Sequence, residues 1–227
     1  MPSKATEFTR VSGTDGGDLY VIRDKSLSMD VALRNPMTLA EFLAWEERQP
    51  LRYEYDGVGP VAMTGGTYGH STIQGNLAIA IGGRLRGKPC RFQGSDLKIQ
   101  VAEGHIRYPD GMVVCSPVDR AATVVHDPVI VFEVLSPSTA RNDRIVKARE
   151  YQATPSVQRY VMLEQDGVSA TVYARSGDTW THEILVADSI LALPEIGVSL
   201  PLAELYEGLV FEAEQDREQP PAAGAAG

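Results

Sequence analysis

Between Pro128 and Leu135 the chain reads PVIVFEVL, an apolar run with one carboxylate inside it. Val129–Phe132 with Val134 and Leu135 has the pattern of a strand covered on both faces, because a strand wet on one side alternates apolar and polar residues. Glu133 interrupts that run. A bare carboxylate buried in such a strand costs several kcal/mol, so it must be paired, protonated or bound to a cation. A structural salt bridge and a functional site both meet this requirement.

The neighbouring segments bear on the choice. Tyr108-Pro109-Asp110-Gly111 leads into the apolar Met112–Cys115, which puts Asp110 at a strand entrance. Pro-Asp-Gly is also a common turn tripeptide. Yet an acid at one strand end and another within an adjacent strand can converge on one hard cation. Mg²⁺ favours one or two carboxylates completed by water and phosphate. Downstream, Asp143, Lys147 and Tyr151 stand at i, i+4 and i+8 on a polar helix over 142–153, and so share one helical face. On an arbitrary helix that is an exposed, salt-bridged stripe. Here the helix follows the Glu133 strand, and its face can carry an ammonium to the same pocket.

Thr38 and Glu41 form a T-x-x-E capping box for a helix with Leu39, Phe42 and Leu43 on its apolar face. Leu51–Tyr55 predicts a short strand, and Ile73, Leu77, Ile81 and Leu85 predict a helix over 70–86. Leu97, Ile99 and Val101 alternate with polar neighbours, and Arg159–Leu163, Thr171–Ala174 and Thr181–Val186 predict three further strands. Helices flanking a central group of strands imply an α/β or α+β fold with a mixed sheet. Residues 1–35 read as a partly ordered N-terminal extension, 36–211 as the domain, and 212–227 as a disordered polar tail.

Cys90 and Cys115 make neither a disulfide framework nor a zinc pattern, and read as two small half-buried thiols in a reducing, cytoplasmic setting. The N-terminal MPSKATEFTRVSG lacks the apolar core of a signal peptide, and no run approaches the roughly 20 apolar residues of a membrane span. His70 follows a Gly-Gly-Thr-Tyr-Gly loop and reads first as helix-entry packing or capping, with phosphate contact or acid/base work as the alternative. That loop lacks the Gly-Lys-Ser/Thr of a P-loop, and His105 and His126 lack ligand spacing.

Asp110, Glu133 and Lys147 together resemble the PD-(D/E)XK nuclease superfamily, and the wider sequence resembles its Uma-type family of restriction-endonuclease-like proteins. The matching stretches are RYEYDG (Arg52–Gly57), MTGGTYGH (Met63–His70), GSDLK (Gly94–Lys98), Pro109-Asp110, and EVLSPST (Glu133–Thr139) with the D-x-x-x-K-x-x-x-Y that follows. They continue through Arg159–Leu163 and LPLAELYEG (Leu200–Gly208), so the resemblance spans about 36–210. It implies a restriction-endonuclease-like core and an Mg²⁺-dependent endonuclease, with Mn²⁺ as the other metal, hydrolysing phosphodiester bonds in DNA. By the same resemblance Asp110 and Glu133 hold the metal together with the Val134 carbonyl. Lys147 positions the attacking water or stabilises charge on the phosphate. Glu54 binds a second metal or orients Lys147, and its other reading is a surface strand acid. Two positions depart from the family pattern. Leu135 stands where a lysine is usual, leaving Lys147 or Lys98 to supply the ammonium. Gly111 stands where an apolar β-branched residue is usual, which would loosen the strand.

These departures keep a second function open, a non-catalytic module on the same fold that binds nucleic acid or a protein partner. A hydrolase of small phosphate esters is a third. A homodimer is expected from the resemblance and from the two-fold symmetry that suits cutting both strands. The net charge of −9, from 21 basic and 30 acidic residues, excludes a wholly basic nucleic-acid coat. Counting by segment changes that picture. Residues 84–107 hold six basic and two acidic residues and 139–160 hold five and two, whereas 203–227 hold one and six. The two basic segments flank Asp110 and Glu133 in sequence, as a phosphate-binding rim requires.

Overall fold

A computed structural model describes residues 7–12, 18–23, 31–33, 36–63, 65–136 and 143–211. The 212–227 tail and the Ser138-Thr139 end of EVLSPST lie outside these residues. The chain divides into two compact units, one of Met1–Gly65, Ser95–Pro109 and Val118–His126, the other of Gly66–Gly94, Asp110–Pro117 and Asp127–Gly227.

In the first unit, the N-terminal region holds three antiparallel strands, Glu7–Ser12, Asp18–Arg23 and Val31–Leu33. EFTRVS and DLYVIR do not alternate apolar with polar residues, and VAL is only three residues long, so none gives a period-two signal. Helix α1 (Leu39–Glu46) begins at the expected capping box, where Thr38 Oγ1 accepts the Glu41 amide at 3.2 Å and the Glu41 carboxylate accepts the Thr38 amide at 2.8 Å. The bond from the Thr38 amide first, and then that from the Thr38 hydroxyl, hold the Glu41 carboxyl below its ordinary value. A mixed sheet of short strands runs in the order Val124–Val125, Lys98–Gln100, Ile106–Arg107, Tyr53–Tyr55 and Pro60–Ala62. Phe42, Tyr55 and Ile106 form its small core.

The second unit is built on six strands lying in sequence order: β1 (Arg91–Gly94), β2 (Gly111–Val114), β3 (Pro128–Val134), β4 (Arg159–Leu163), β5 (Ser169–Ser176) and β6 (Thr179–Val186). Every neighbouring pair is antiparallel except β3 and β4, which are parallel. Parallel neighbours need a crossover connection. This one carries a π-helical turn, Asp143–Lys147, that runs into helix α3 (Ala148–Ala153).

Helix α2 (Tyr68–Arg84) starts at Thr67, whose hydroxyl accepts the His70 amide at 3.1 Å. Its Ile73, Leu77 and Ile81 share one core with Ile130, Phe132 and Val134 of β3 and with Val161 and Leu163 of β4. Even-numbered residues of β3 therefore face α2. The odd-numbered Val131 and Glu133 face the other side, beside their partners Tyr160 and Met162 on β4. There Tyr151 of α3 lies 4.8 Å from Tyr160, ring to ring. Glu133 thus points at the crossover helix. The hairpin Ile190–Leu193 and Val198–Pro201, absent from the sequence reading, adds Leu191, Leu193, Val198 and Leu200 to the α2-side core.

Two expectations are corrected. Arg91 pairs with Val114 across β1 and β2, so Cys90 falls opposite Cys115, and the two are joined by a disulfide. They are not two separate thiols; 25 residues of sequence hide a cross-strand neighbour. Nor does Gly111 loosen β2. The Phe92 ring from β1 fills the space, with its Cζ 2.7 Å from where a Cβ at position 111 would stand. Gly111→Val should therefore lower stability in urea unfolding by about 1–3 kcal/mol through overpacking. Combined with Phe92→Ala, which vacates the same space, its cost should fall well short of the sum of the two single changes.

Candidate active site

The buried carboxylate of Glu133 is paired from the crossover. Lys147 Nζ lies 3.1 Å from Glu133 Oε1, and the Tyr151 hydroxyl donates to the same oxygen at 2.8 Å. Lys147 and Glu133 are 9% and 4% exposed, so this is a buried ion pair. Spacing accounts for the convergence: residues four apart stand one above the other on a helix, and both reach down to the same strand. The π-helical turn widens the helix at Lys147, and such turns are frequent at functional sites.

Asp110 precedes β2. Gly111 pairs with Phe132, and continuing that antiparallel register by one residue sets Asp110 across from Glu133. Its carboxylate is held on two sides: Gln74 Nε2 donates to Oδ1 and the Val134 amide donates to Oδ2, each at 2.6 Å. In an extended strand the N–H and C=O of one residue point to the same side, so the Val134 carbonyl is also directed to the β2 side of its strand. His70 Nε2 lies 3.2 Å from Asp110 Oδ2. His70 and Gln74 are four apart on α2, one turn of the same face. Gln165, on the β4–β5 connection, locks this corner: its Nε2 donates to the Leu135 carbonyl and its Oε1 accepts the Thr67 hydroxyl, both at 2.6 Å. Sequence reading named His70 but gave it a packing or capping role first. Gln74 was legible only as the residue four on from it, and Gln165 carried no signal.

Glu54 and Lys98 belong to the first unit. Lys98 Nζ is 2.6 Å from Glu46 Oε2, and the Tyr108 hydroxyl donates to Glu46 Oε1 at 2.8 Å. Burial first, and then that bond to Glu46, push the Tyr108 phenol well above its ordinary value. Lys98 is therefore committed to Glu46, and the ammonium brought to Glu133 is that of Lys147. Glu54 is a buried acid, not a surface one, with Arg107 at 3.6 Å and the Tyr108 amide donating at 3.2 Å. Most of the basic segments are also paired: Arg84 with Glu204, Arg144 with Glu164 and Arg159 with Glu195. Among the described residues no three His, Cys, Asp or Glu side chains form a ready metal cluster. No helix among them is long and apolar enough to cross a membrane.

The sequence profile of the Uma2 family, described as "Putative restriction endonuclease", matches residues 39–203. The chain belongs to that family. An uncharacterized Synechocystis protein, slr1290, is 37% identical over 174 residues, covering 75% of this chain and 92% of that one. A second, sll1609, is 27% identical over 154 residues, covering 66% and 87%. The crystal structure of a "putative nuclease belonging to DUF820" from Anabaena variabilis superposes with a TM-score of 0.63 at 20% identity, covering 75% of this chain and 98% of that one. That likeness fixes the fold as restriction-endonuclease-like.

In this Uma2 chain the helix lysine stands where the strand lysine is missing. Removing one member of a buried pair costs about 3–5 kcal/mol, because the other charge loses its partner in a dry setting. Glu133→Ala should accordingly shift the urea midpoint strongly, and Lys147→Met added to it should restore part of the loss.

Proposed function

We propose that this Uma2 protein is an Mg²⁺-dependent endonuclease hydrolysing phosphodiester bonds in DNA. One observation carries the reading: the Lys147 ammonium is delivered to Glu133, within the strand whose register places Asp110 alongside. A helix that presented Lys147 to solvent would have left only a fold.

The donors suit a hard divalent ion. Asp110 and Glu133 would supply carboxylate oxygens, with the Val134 carbonyl on the β2 side of its strand as a further ligand. Mg²⁺ keeps several waters and takes phosphate oxygens, so it does not require a full cage of protein side chains. When bound, the ion would polarise the phosphate and lower the pKa of a coordinated water. The chain's own groups do the rest. Gln74 and the Val134 amide fix the Asp110 carboxylate before substrate arrives. Glu133, whose Oε1 also accepts the Tyr151 hydroxyl, holds the Lys147 ammonium where negative charge would grow on the phosphate. The water oxygen bonds to phosphorus as the bond to the leaving sugar oxygen breaks; the water gives its proton to solvent and the leaving oxygen takes one up. A homodimer is the assembly proposed for cutting both strands.

The test is cleavage of plasmid and linear DNA with Mg²⁺ or Mn²⁺. Asp110→Asn, Glu133→Gln and Lys147→Met should each lower the rate by on the order of 10²-fold or more, with circular dichroism showing a folded chain. Intact DNA over a range of sequences and metals would overturn the reading in favour of a binding module. Turnover of a nucleotide or sugar phosphate alone would instead point to the small-ester hydrolase.

A further inference from the structure

Among the described residues β6 has a neighbouring strand on one side only, and its outer edge carries none of the usual protection. Its register with β5 runs unbroken from Ser169↔Val186 to Ser176↔Thr179, and its sequence, TWTHEILV, holds no proline, lysine or arginine. Natural edge strands are blunted by such residues, by bulges or by brevity, because free N–H and C=O groups template pairing with another chain. The opposite edge, β1, has four residues and begins with an arginine. On β6, Ile184 and Val186 are 70% and 58% exposed.

The backbone shows which groups face outward. The Val186 amide donates to Ser189 Oγ at 3.0 Å and its carbonyl accepts the Ser189 amide at 2.8 Å, so both turn away from β5. With a period of two, those of Trp180, His182 and Ile184 turn the same way. Ser189 closes the edge at Val186 and leaves these positions, centred on His182. Such a stretch is complementary to itself. About a two-fold axis at His182, antiparallel pairing sets Trp180 opposite Ile184 of a second copy, and Ile184 opposite its Trp180. Aromatic and β-branched side chains attract across a ladder, and this pair occurs twice. Thr181 falls opposite Glu183, a hydroxyl against a carboxylate. Sliding the copies by two residues one way would set Glu183 against Glu183, two like charges. Sliding them the other way would set Ile184 against the hairpin turn at Asp178.

We propose that β6 is the edge through which two copies of this chain associate, pairing antiparallel about His182 and joining their six-stranded sheets into one. The inference rests on the homodimer of the nuclease reading and names the surface that forms it.

The experiment is sedimentation velocity on the full-length protein without DNA or metal, together with oxidation of variants carrying one added cysteine. The wild-type protein should sediment as a dimer. Ile184→Lys changes an exposed side chain and leaves the β5 ladder alone, and should raise the dissociation constant by about 10-fold or more. Cys90 and Cys115 are already joined, so an added thiol meets the same thiol of a second copy. Residues opposite each other in a hydrogen-bonded pair stand about 5.5 Å apart at Cα, within disulfide range. His182→Cys should therefore form a covalent dimer with a mild disulfide oxidant. Thr179→Cys, roughly 20 Å from its copy in this register, should not. A monomer at every concentration, a dimer indifferent to Ile184→Lys, or equal cross-linking at the two positions would overturn the proposal. None of these outcomes bears on the nuclease chemistry, which DNA cleavage with Mg²⁺ judges separately.

Discussion

A carboxylate in the middle of a strand covered on both faces is the constraint around which the second unit is arranged. Glu133 has no route to water through its own strand, so its partner must come from the layer above the sheet. The parallel pairing of β3 with β4 supplies that layer, because a parallel pair obliges the chain to cross over the face it has just left. Lys147 and Tyr151 ride on this crossover. The ion pair is thus a consequence of topology as well as of residue choice. A hairpin between β3 and β4 would have placed no helix there.

The same geometry accounts for the departure at Leu135. Two residues beyond Glu133, position 135 lies on the same side of the chain, and its amide continues the ladder by donating to the Leu163 carbonyl at 2.8 Å. A lysine there and a lysine on the overlying helix address one volume from two directions. Moving the ammonium to the helix leaves an apolar residue free to seal the end of the strand, where Leu135 is buried. The strand becomes drier, which strengthens the attraction between Lys147 and Glu133.

Much of this was legible because it rests on local signals. Glu133 announced itself by contrast with its apolar neighbours, the i, i+4 spacing joined Lys147 to Tyr151, and the capping box at Thr38 is present as written. What was hidden depends on register between strands distant in sequence. Cys90 and Cys115, the Phe92 ring over Gly111, and the commitment of Lys98 to Glu46 all arise from pairings that no spacing rule encodes. Short strands such as Arg91–Gly94, with one apolar residue in four, give no period to detect. His70 was ambiguous for a related reason. A histidine beside a helix start has a local explanation, and only the fold shows Thr67 doing that capping while the imidazole turns to Asp110.

Charge is where counting along the chain misleads most. Residues 84–107 and 139–160 look like basic rims in sequence, yet Arg84, Lys98, Arg107, Arg144, Lys147 and Arg159 each face a carboxylate within their own unit. Charges so matched contribute little field beyond a few ångströms, and a net charge of −9 remains to repel a polyanion at long range. Salt screens that repulsion within about 8–10 Å at ordinary ionic strength. A nucleic acid reaching this surface would therefore be held by short-range contacts at the site itself. On the proposed nuclease reading, that would place the burden of phosphate recognition on the few groups around Asp110 and Glu133, more than in a protein with a basic cleft.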